Sequence, residues 1–360
     1  MAMPLHRLRP RAWSRWLLLL AALLPISLTL AVTLGPVPIA APDAWAIAAH
    51  ETGRALGLDL PRGDWSEAQR QIVWQLRMPR VLLAGVVGAG LAVVGVSMQA
   101  MVRNPLADPY LLGVSSGASL GAVGVLALGL LGAAGGLALP LGAFGGALAA
   151  CVAVYALAHA QGRLSATRLV LGGVAIGYCL AGLSSLIVLT SDQRDLAGAV
   201  MAWTLGSLAG TQWHELGLPS LVLLLGTLWL ALQAKALNAL LTGDETAATL
   251  GIDTTALRRR LFVAVSLLTG VMVAVSGPIG FVGLVVPHIT RMLVGAEHRR
   301  VLPVAALLGA LLLIWVDAFA RLAFAPTEVP AGVITALLGG PFFVWMLQRE
   351  GRRAQGASWS

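Results

Sequence analysis

Repeated runs of about 20 apolar residues constrain the fold of this chain more than any other sequence feature. Such a run, wound as a helix, matches the hydrocarbon thickness of a bilayer. No alternation of apolar and polar residues competes with these runs as evidence for strands. The ten predicted spans cover residues 14–34, 81–101, 112–132, 137–159, 169–190, 216–236, 261–280, 281–296, 303–323 and 331–348. We therefore predict an all-α polytopic membrane protein of about ten transmembrane helices.

Composition supports this prediction and excludes a water-soluble globule. The chain is 58% hydrophobic and only 11% charged, whereas soluble domains carry roughly 25% charged residues. Its mean hydropathy of +0.84 also excludes intrinsic disorder. The 42 glycines are typical of membrane helices that approach closely. Pairs such as Gly142/Gly146 and Gly173/Gly177 place glycine on one helix face, which favours close packing over phosphate binding.

The distribution of basic residues predicts the orientation of the chain. The net charge is +8, but the basic residues are scattered between apolar runs, which indicates orientation in a bilayer rather than nucleic-acid binding. With the amino terminus inside, 17 of the 24 Lys and Arg residues lie in predicted cytoplasmic segments. We expect one transmembrane domain over residues 1–360, with 14–348 embedded and 1–13 and 349–360 as cytoplasmic tails. The first span is expected to stay uncleaved, because its apolar part exceeds that of a signal peptide.

The segments between the spans contain no predicted soluble domain. Residues 42–80 and 191–215 are long enough to hold external surface helices, but no polar loop is long enough for a soluble core. The sequence also has no GxxxxGK[ST] motif, so we expect the chain to bind no nucleotide itself. The two cysteines, Cys151 and Cys179, lie in apolar runs and are expected to be buried.

Residues 243–253 form the polar internal segment that is most typical of a short helix. Asp244 and Glu245 fall in its first turn, where the helix dipole favours negative charge. Gly251 follows, as a C-cap glycine does. Two interpretations remain at this point: an ordinary connecting helix, or a coupling helix that inserts into a groove of a cytoplasmic ATPase.

Polar and small residues form further motifs among the apolar runs. They are Leu76–Arg80; Met98–Pro109 with Leu112–Ala118; Gly280–Arg291 with His298–Arg300; and Asp317–Arg321 with Glu328–Gly332 and Gly339–Phe342. With the 243–253 segment, these motifs resemble the permease subunits of binding-protein-dependent ABC importers for iron–siderophore complexes, haem and cobalamin (type II importers). The resemblance runs from about residue 71 to residue 347, with the motifs in the family's order.

The resemblance implies a homodimeric permease of the bacterial inner membrane. Its partners would be a second copy of itself, two cytoplasmic ABC ATPase subunits, a periplasmic substrate-binding protein and membrane lipid, with no nucleic acid. The chain would be a transport subunit without catalytic residues or a metal site, and ATP–Mg would be bound by the partner ATPase. Its cargo would be a ferric siderophore, haem or cobalamin. We lean slightly towards iron chelates, because they are the commoner cargo of this family.

The resemblance also implies roles for individual residues. The ATPase-coupling residues would be Asp244, Glu245, Ala247, Ala248, Leu250 and Gly251. The residues that dock the binding protein would be Arg77, Arg80 and Arg321. The cytoplasmic gate residues would be Asn104, Pro105, Leu106, Ser165 and Thr167. The alternative without a docking role is that the arginines lie at span ends and extend their guanidinium groups to the membrane surface. Arg321 is also spaced to pair with Asp317 one turn earlier.

Rival functions remain open from the sequence. An ion- or proton-coupled carrier needs ionisable groups in the membrane, and Asp317 is the strongest candidate. An intramembrane hydrolase is suggested by the G-x-S-x-G pattern of Gly113–Gly117, although that elbow requires a preceding strand. His288 lacks a second ligand at helical spacing, so we interpret it as structural. Because few charges fall within the spans, we expect a largely neutral pathway.

Overall fold

The computed structural model describes residues 12–58, 60–159 and 166–357, and the regular structure of these ranges is helical throughout. The helices are α1 (Ala12–Thr33), α2 (Ala41–Ala55), α3 (Glu67–Arg70), α4 (Met78–Val102), α5 (Val114–Leu128), α6 (Ala138–Ala158), α7 (Ala166–Thr190), α8 (Leu196–Thr204), α9 (Gly217–Leu232), α10 (Ala234–Leu241), α11 (Asp244–Thr249), α12 (Thr254–Ser276), α13 (Val282–Val294), α14 (His298–Leu322) and α15 (Ala331–Ala357). A π-helical stretch (Gln71–Arg77) joins α3 to α4, and short 3₁₀ turns cover Pro109–Leu112, Gly132–Leu137 and Trp213–Glu215.

The long apolar helices match the predicted spans. Each of the ten predicted spans coincides with a helix, and eight helices in the described ranges are long and apolar enough to cross a membrane. The other two, α5 and α13, are apolar but shorter. The prediction of an all-α polytopic membrane protein is therefore confirmed.

Helix α4 forms the centre of the bundle. It packs against α9, α12, α13 and α14, and almost all of its residues are buried. Small residues permit these contacts, because a Cβ atom on Gly88 of α4 would collide with the backbone carbonyl of Gly309 on α14. With so little side-chain volume between them, the two backbones approach closely, as small residues allow in membrane bundles.

The contact between α5 and α6 explains the glycine spacing noted in the sequence. A Cβ atom on Gly146 would collide with the carbonyl of Gly117, and one on Gly121 would collide with the carbonyl of Gly142. The spacing of four residues places Gly142 and Gly146 on one face of α6. The predicted packing role of this glycine pair is confirmed.

The tight break predicted between the seventh and eighth spans lies at residues 277–281. Gly277 and Phe281 adopt positive φ angles of 64° and 67°. Gly277 follows the end of α12, and Phe281 precedes the start of α13. The amide of Ser207 donates to the carbonyl of Ser276 over 2.8 Å. The predicted boundaries shift accordingly, because α12 runs from Thr254 to Ser276 instead of from 261 to 280.

The predicted external segments hold surface helices, as expected: α2 and α3 in the first segment and α8 in the second. Two details differ from the predictions. Helical structure is continuous from Glu67 to Val102, so Leu76–Arg80 lies within a helix and not at the mouth of a span that begins at residue 81. Cys179 is exposed on α7, whereas Cys151 is buried as expected.

Candidate functional site

Helix α11 lies in the loop between α10 and α12, on the predicted cytoplasmic face. Gly243 precedes it at φ 111°, and Gly251 follows it at φ 77°. Both angles lie in the region that only glycine adopts without cost, so the two glycines set where the helix begins and ends. The helix expected from the sequence is therefore present, over Asp244–Thr249.

The residues of α11 and its following turn divide between an inward and an outward side. Ala247 is fully buried at 0% exposure, whereas the side chain of Leu250 is 66% exposed. Glu245, Ala248 and Gly251 are also exposed. A short helix that presents alanine and leucine to the aqueous side has the form of a surface that another protein covers, because an exposed leucine gains from burial.

Asp244 anchors α11 to the rest of the chain. Its two carboxylate oxygens accept hydrogen bonds from Nη1 and Nη2 of Arg258, each over 2.8 Å. The Nε of Arg258 donates to the carbonyl of Met101 at the end of α4, over 3.2 Å. Arg103 adds a weaker ion pair to Asp244 at 3.8 Å. The hydrogen bonds from Arg258 lower the pKa of Asp244 below its usual value, so the carboxylate stays charged at neutral pH.

The end of α4 continues directly into the predicted gate loop. Arg103 caps α4 in the left-handed conformation at φ 55°. The side-chain oxygen of Asn104 then accepts from the amide of Leu106 over 2.9 Å, which closes a turn. Arg291 of α13 donates to the side-chain oxygen of Gln99 on α4. Arg258, which holds α11 through Asp244, bonds to the last turn of α4, and the predicted gate loop follows that turn directly. Helix α4 therefore connects α11 to the gate loop.

The described gate residues belong to two parts of the chain, the loop after α4 and the first turn of α7. Asn104 and Pro105 are exposed, and Leu106 is partly buried after them. Thr167 is exposed in the first turn of α7. Ser165 lies outside the described residues. The role of these residues as a gate stays a prediction.

A tyrosine connects the gate loop to the break between α12 and α13. The hydroxyl of Tyr110 donates to the carbonyl of Ile279 over 3.1 Å and accepts from the Ile279 amide over 2.9 Å. Asp108 orients this segment, because its carboxylate accepts from the amide of Tyr110 over 2.9 Å. Burial raises the pKa of Asp108 to about 6, while that hydrogen bond opposes the shift.

A buried ion cluster lies at the predicted external ends of α4 and α14. The Nε of Arg80 donates to both carboxylate oxygens of Asp317, over 2.9 and 3.1 Å. Its Nη1 donates to Glu328 over 2.7 Å. Arg321 forms a second ion pair with Asp317 at 3.2 Å, and its Nη2 donates to the carbonyl of Ala31 over 3.0 Å. The predicted pairing of Arg321 with Asp317 is thus present.

Arg77 closes the end of α1. Its guanidinium donates to the carbonyls of Val32, Thr33 and Val37 over 2.9, 3.1 and 2.6 Å. These carbonyls lie at and beyond the C-terminus of a helix, where backbone acceptors have no helical partner. The guanidinium therefore satisfies groups that would otherwise stay unpaired.

Arg77, Arg80 and Arg321, predicted to dock the binding protein, are buried within the chain. Their exposures are 6%, 8% and 5%. Arg77 packs against the end of α1, Arg80 against Asp317 of α14, and Arg321, on α14, against the Ala31 carbonyl of α1. Their role in docking a binding protein stays a prediction.

Residues 23–349, most of the chain, match the FecCD transport family. The chain belongs to this family. That membership confirms the resemblance to the importer permeases for iron–siderophore complexes, haem and cobalamin.

Relatives within the FecCD family cover most of the chain. The chain is 41% identical over 290 residues to the vitamin B12 import system permease protein BtuC of Vibrio cholerae, which covers 81% of this chain and 86% of the relative. It is 40% identical over 298 residues to the hemin transport system permease protein HmuU of Yersinia pestis, with 81% and 89% covered. A solved structure described as an inward-facing metal-chelate type ABC transporter aligns with a TM-score of 0.79 at 29% identity, covering 93% of this chain and 99% of the other.

The rival functions find little support in the geometry of this FecCD member. Asp317, the candidate carboxylate for an ion-driven carrier, is 1% exposed and paired with two arginines. The candidate hydrolase elbow at Gly113–Gly117 follows a 3₁₀ turn instead of a strand. The ring of His288 packs edge-on against Phe342, with ring centres 6.1 Å apart.

Three residues that organise the site are not among those predicted from the sequence: Arg258, Tyr110 and Gln99. An arginine about one turn after the start of a helix, in a chain with only 11% charged residues, was the sequence signal available for Arg258. Nothing in the sequence connects Tyr110 to Ile279, because the two residues are distant in the chain.

Proposed function

We propose that this chain is the membrane-spanning permease subunit of an ATP-driven importer for a ferric siderophore, haem or cobalamin. Two copies would assemble with two cytoplasmic ATPase subunits in the bacterial inner membrane, with both termini cytoplasmic. A periplasmic binding protein would deliver the cargo. The chain itself would catalyse no reaction, and ATP–Mg would bind to the ATPase.

The exposed helix α11 carries this proposal. It presents Ala248 and Leu250 outward, while Asp244 holds the helix through Arg258 to the end of α4. A partner that grips the outward side would therefore act on a transmembrane helix through a rigid ionic contact. An ATPase can shift the pore only if its nucleotide states bind this helix differently, and α11 offers a surface on which such a difference can act.

The relatives support the cargo class without selecting one cargo. One relative is a vitamin B12 permease and another is a hemin permease, at nearly equal identity. We also retain Arg77, Arg80 and Arg321 as predicted docking residues. In that role each guanidinium would exchange its present partner within the chain for a carboxylate of the binding protein, since arginine pairs well with carboxylate.

The proposal is tested with Leu250→Asp in the complete importer, reconstituted in liposomes with its ATPase and binding protein. We expect ATP-driven uptake to fall at least tenfold, because a charge replaces an apolar contact at the grip. Arg259→Gln is the matched control, since it changes the net charge equally at an exposed position outside α11. Uptake that does not depend on ATP, or normal uptake by Leu250→Asp, would contradict the proposal.

A further inference from the structure

A cavity of about 150 Å³ lies at the predicted cytoplasmic end of the bundle. The end of α4 and the predicted gate loop form one part of its wall, and the end of α13 and the start of α14 form another. The polar side chains that line it are Gln99, Arg103, Asn104, Arg291 and His298. Among the described residues of the wall, two are arginines and none is acidic. The wall of this cavity is therefore positively charged.

The guanidinium group of Arg291 forms no ion pair in the part of the chain that the structure describes. Its Nη2 donates to the side-chain oxygen of Gln99, which is a neutral acceptor. The side-chain nitrogen of Gln99 donates to the carbonyl of Gly283 over 3.4 Å, which holds the amide in place. Arg291 is only partly exposed, so water compensates its charge incompletely. Because a sheltered cation without a counter-ion is costly, an anion in the cavity would stabilise this arrangement.

Arg103 extends the positive wall towards the start of α11. Its Nη2 lies 3.8 Å from the carboxylate of Asp244, which is beyond hydrogen-bond distance. Arg258 holds the same carboxylate over 2.8 Å, so Arg103 keeps its donors for another anion. Glu297, which precedes α14, pairs with Arg300 at 2.7 Å. Both carboxylates that adjoin the segments of the cavity thus have closer cations of their own.

Two neutral side chains complete the polar wall. The side-chain oxygen of Asn104 accepts from the amide of Leu106 over 2.9 Å, which leaves the side-chain nitrogen as a donor. The ring Nδ1 of His298 bonds to the side-chain oxygen of Asn238 over 2.7 Å, and the His298 amide donates to the same oxygen over 3.0 Å. Asn238 thereby fixes the ring. The donors of this wall, two guanidinium groups and one amide, match an oxyanion, to which charged donors bond most strongly.

We propose that this cavity binds one phosphate group. Arginine pairs bidentately with phosphate, and two arginines in the wall of one small cavity can hold the same anion. The volume is below the ~300–1,000 Å³ of pockets that enclose drug-sized ligands, which favours a phosphate group over a whole nucleotide. This inference does not depend on the proposed function.

Two sources can supply the phosphate group. One is free inorganic phosphate on the cytoplasmic side. The other is the headgroup of an anionic phospholipid, because basic pockets between membrane helices on the cytoplasmic side bind such headgroups. The chemistry that the wall recognises is the same in both cases, so the experiment has one titration for each source.

The test measures the thermal midpoint of the full-length chain in dodecyl maltoside, a detergent without phosphate. Inorganic phosphate is titrated against chloride at constant ionic strength, and phosphatidylglycerol is titrated against diacylglycerol, which lacks the phosphate group. A ligand that binds only the folded state raises the midpoint. We expect a saturable rise with at least one of the two phosphate compounds and none with chloride or diacylglycerol. The absence of a rise with both phosphate compounds overturns the proposal.

Arg103→Gln tests whether the rise comes from this cavity. The variant should need an at least tenfold higher concentration of the phosphate compound for the same rise, because a charge-assisted contact is lost. Arg103 is exposed and its side chain makes only the long contact to Asp244, so we expect the variant to fold. Arg299→Gln is the matched control, since it removes the same charge at an exposed position outside the cavity wall. It should respond as the wild type does.

Two outcomes with these variants contradict the assignment. An equal response of the wild type and Arg103→Gln would indicate general stabilisation by a salt that is excluded from the protein surface. An equal loss in Arg103→Gln and Arg299→Gln would indicate diffuse attraction to a basic surface. Either result overturns the proposal.

The two titrations also identify the source. A response to phosphatidylglycerol at concentrations where inorganic phosphate has no effect assigns the cavity to a lipid headgroup. A response to inorganic phosphate alone assigns it to the free anion, and a response to both shows that the phosphate group is sufficient. Arg291→Lys keeps the charge but loses the bidentate geometry, so it should weaken either response several-fold. An unchanged response would exclude Arg291 from the site and overturn the proposal of two arginines on one phosphate.

Discussion

Replacing Arg258 with alanine should uncouple α11 from the end of α4. In the wild type, Arg258 joins Asp244 through two hydrogen bonds of 2.8 Å and holds the Met101 carbonyl at 3.2 Å. Its side chain is 8% exposed and that of Asp244 is 40% exposed. Hydrogen bonds to charged groups contribute about 1.5–3 kcal/mol each when sheltered, but solvent around Asp244 screens this pair.

After this discount we expect the contact to stabilise the docked position of α11 by about 2 kcal/mol, or about 30-fold. In the proposed importer, Arg258→Ala should therefore keep binding the ATPase and hydrolysing ATP, but should move less cargo for each ATP consumed. The assay measures uptake and ATP hydrolysis in the same proteoliposomes. Asp244→Ala should produce the same defect, and the double variant should be no worse than either single variant, because both remove one interaction.

Arg259→Ala is the matched control for this experiment. Arg259 neighbours Arg258 on α12 but is exposed, so its loss should leave the ratio of uptake to hydrolysis unchanged. An equal defect in both variants would mean that positive charge alone matters. A wild-type ratio in Arg258→Ala would refute the reasoning outright.

Three further predictions concern stability, each measured as a thermal midpoint in nanodiscs. Gly146→Ala should destabilise the protein by about 1–3 kcal/mol, since its Cβ meets the Gly117 carbonyl, while the adjacent Gly145→Ala, with open space around its Cβ, should not. Arg80→Gln should destabilise by about 2–3 kcal/mol, because it leaves buried Asp317 with Arg321 alone, whereas exposed Arg54→Gln should have little effect. Burial raises the pKa of Asp108 to about 6, so the folded state binds this proton more tightly than the unfolded state does. Acidification from pH 7.5 to 5.5 should therefore increase the unfolding free energy of the wild type by up to about 1 kcal/mol more than that of Asp108→Asn.

The positions of the long apolar helices, the all-helical class and the short helix α11 were predictable from the sequence because they depend on local pattern. A run of about 20 apolar residues predicts a membrane-spanning helix without knowledge of the rest of the chain. Gly243 and Gly251 flank α11, where the backbone adopts positive φ. The helix boundaries were less predictable. The helix that includes α4 begins at Glu67 because a π-helical stretch continues it outward, and polar residues there resemble a loop when only hydropathy is considered.

The burial and the partners of charged side chains inside the bundle could not be predicted from the sequence. An arginine near a span end is compatible with an exposed rim or with a buried ion pair, and the two differ only in what another helix brings near. Arg80 is buried because Asp317 and Glu328 arrive from more than 200 positions away, at separations of 237 and 248 residues. Local pattern contains no information about such contacts, so the burial of Arg80 required the fold.

Helix α4 connects two sets of ionic contacts. Arg80 of α4 pairs with Asp317 at one end, and Arg258, which pairs with Asp244, bonds to the Met101 carbonyl at the other. Arg80 lies in its first turn and Met101 in its last, about 30 Å apart at the rise of an α-helix. Between them, α4 meets α13 and α14 through glycine contacts that leave little side-chain volume to rearrange. A displacement imposed at the Met101 end would therefore move α4 as a rigid unit more readily than it would bend it. In the proposed importer, the ion pairs of Arg80 and the contact of α11 would then act on the same helix, α4. Arg80→Gln should therefore lower the ratio of cargo uptake to ATP hydrolysis as well as the stability of the protein.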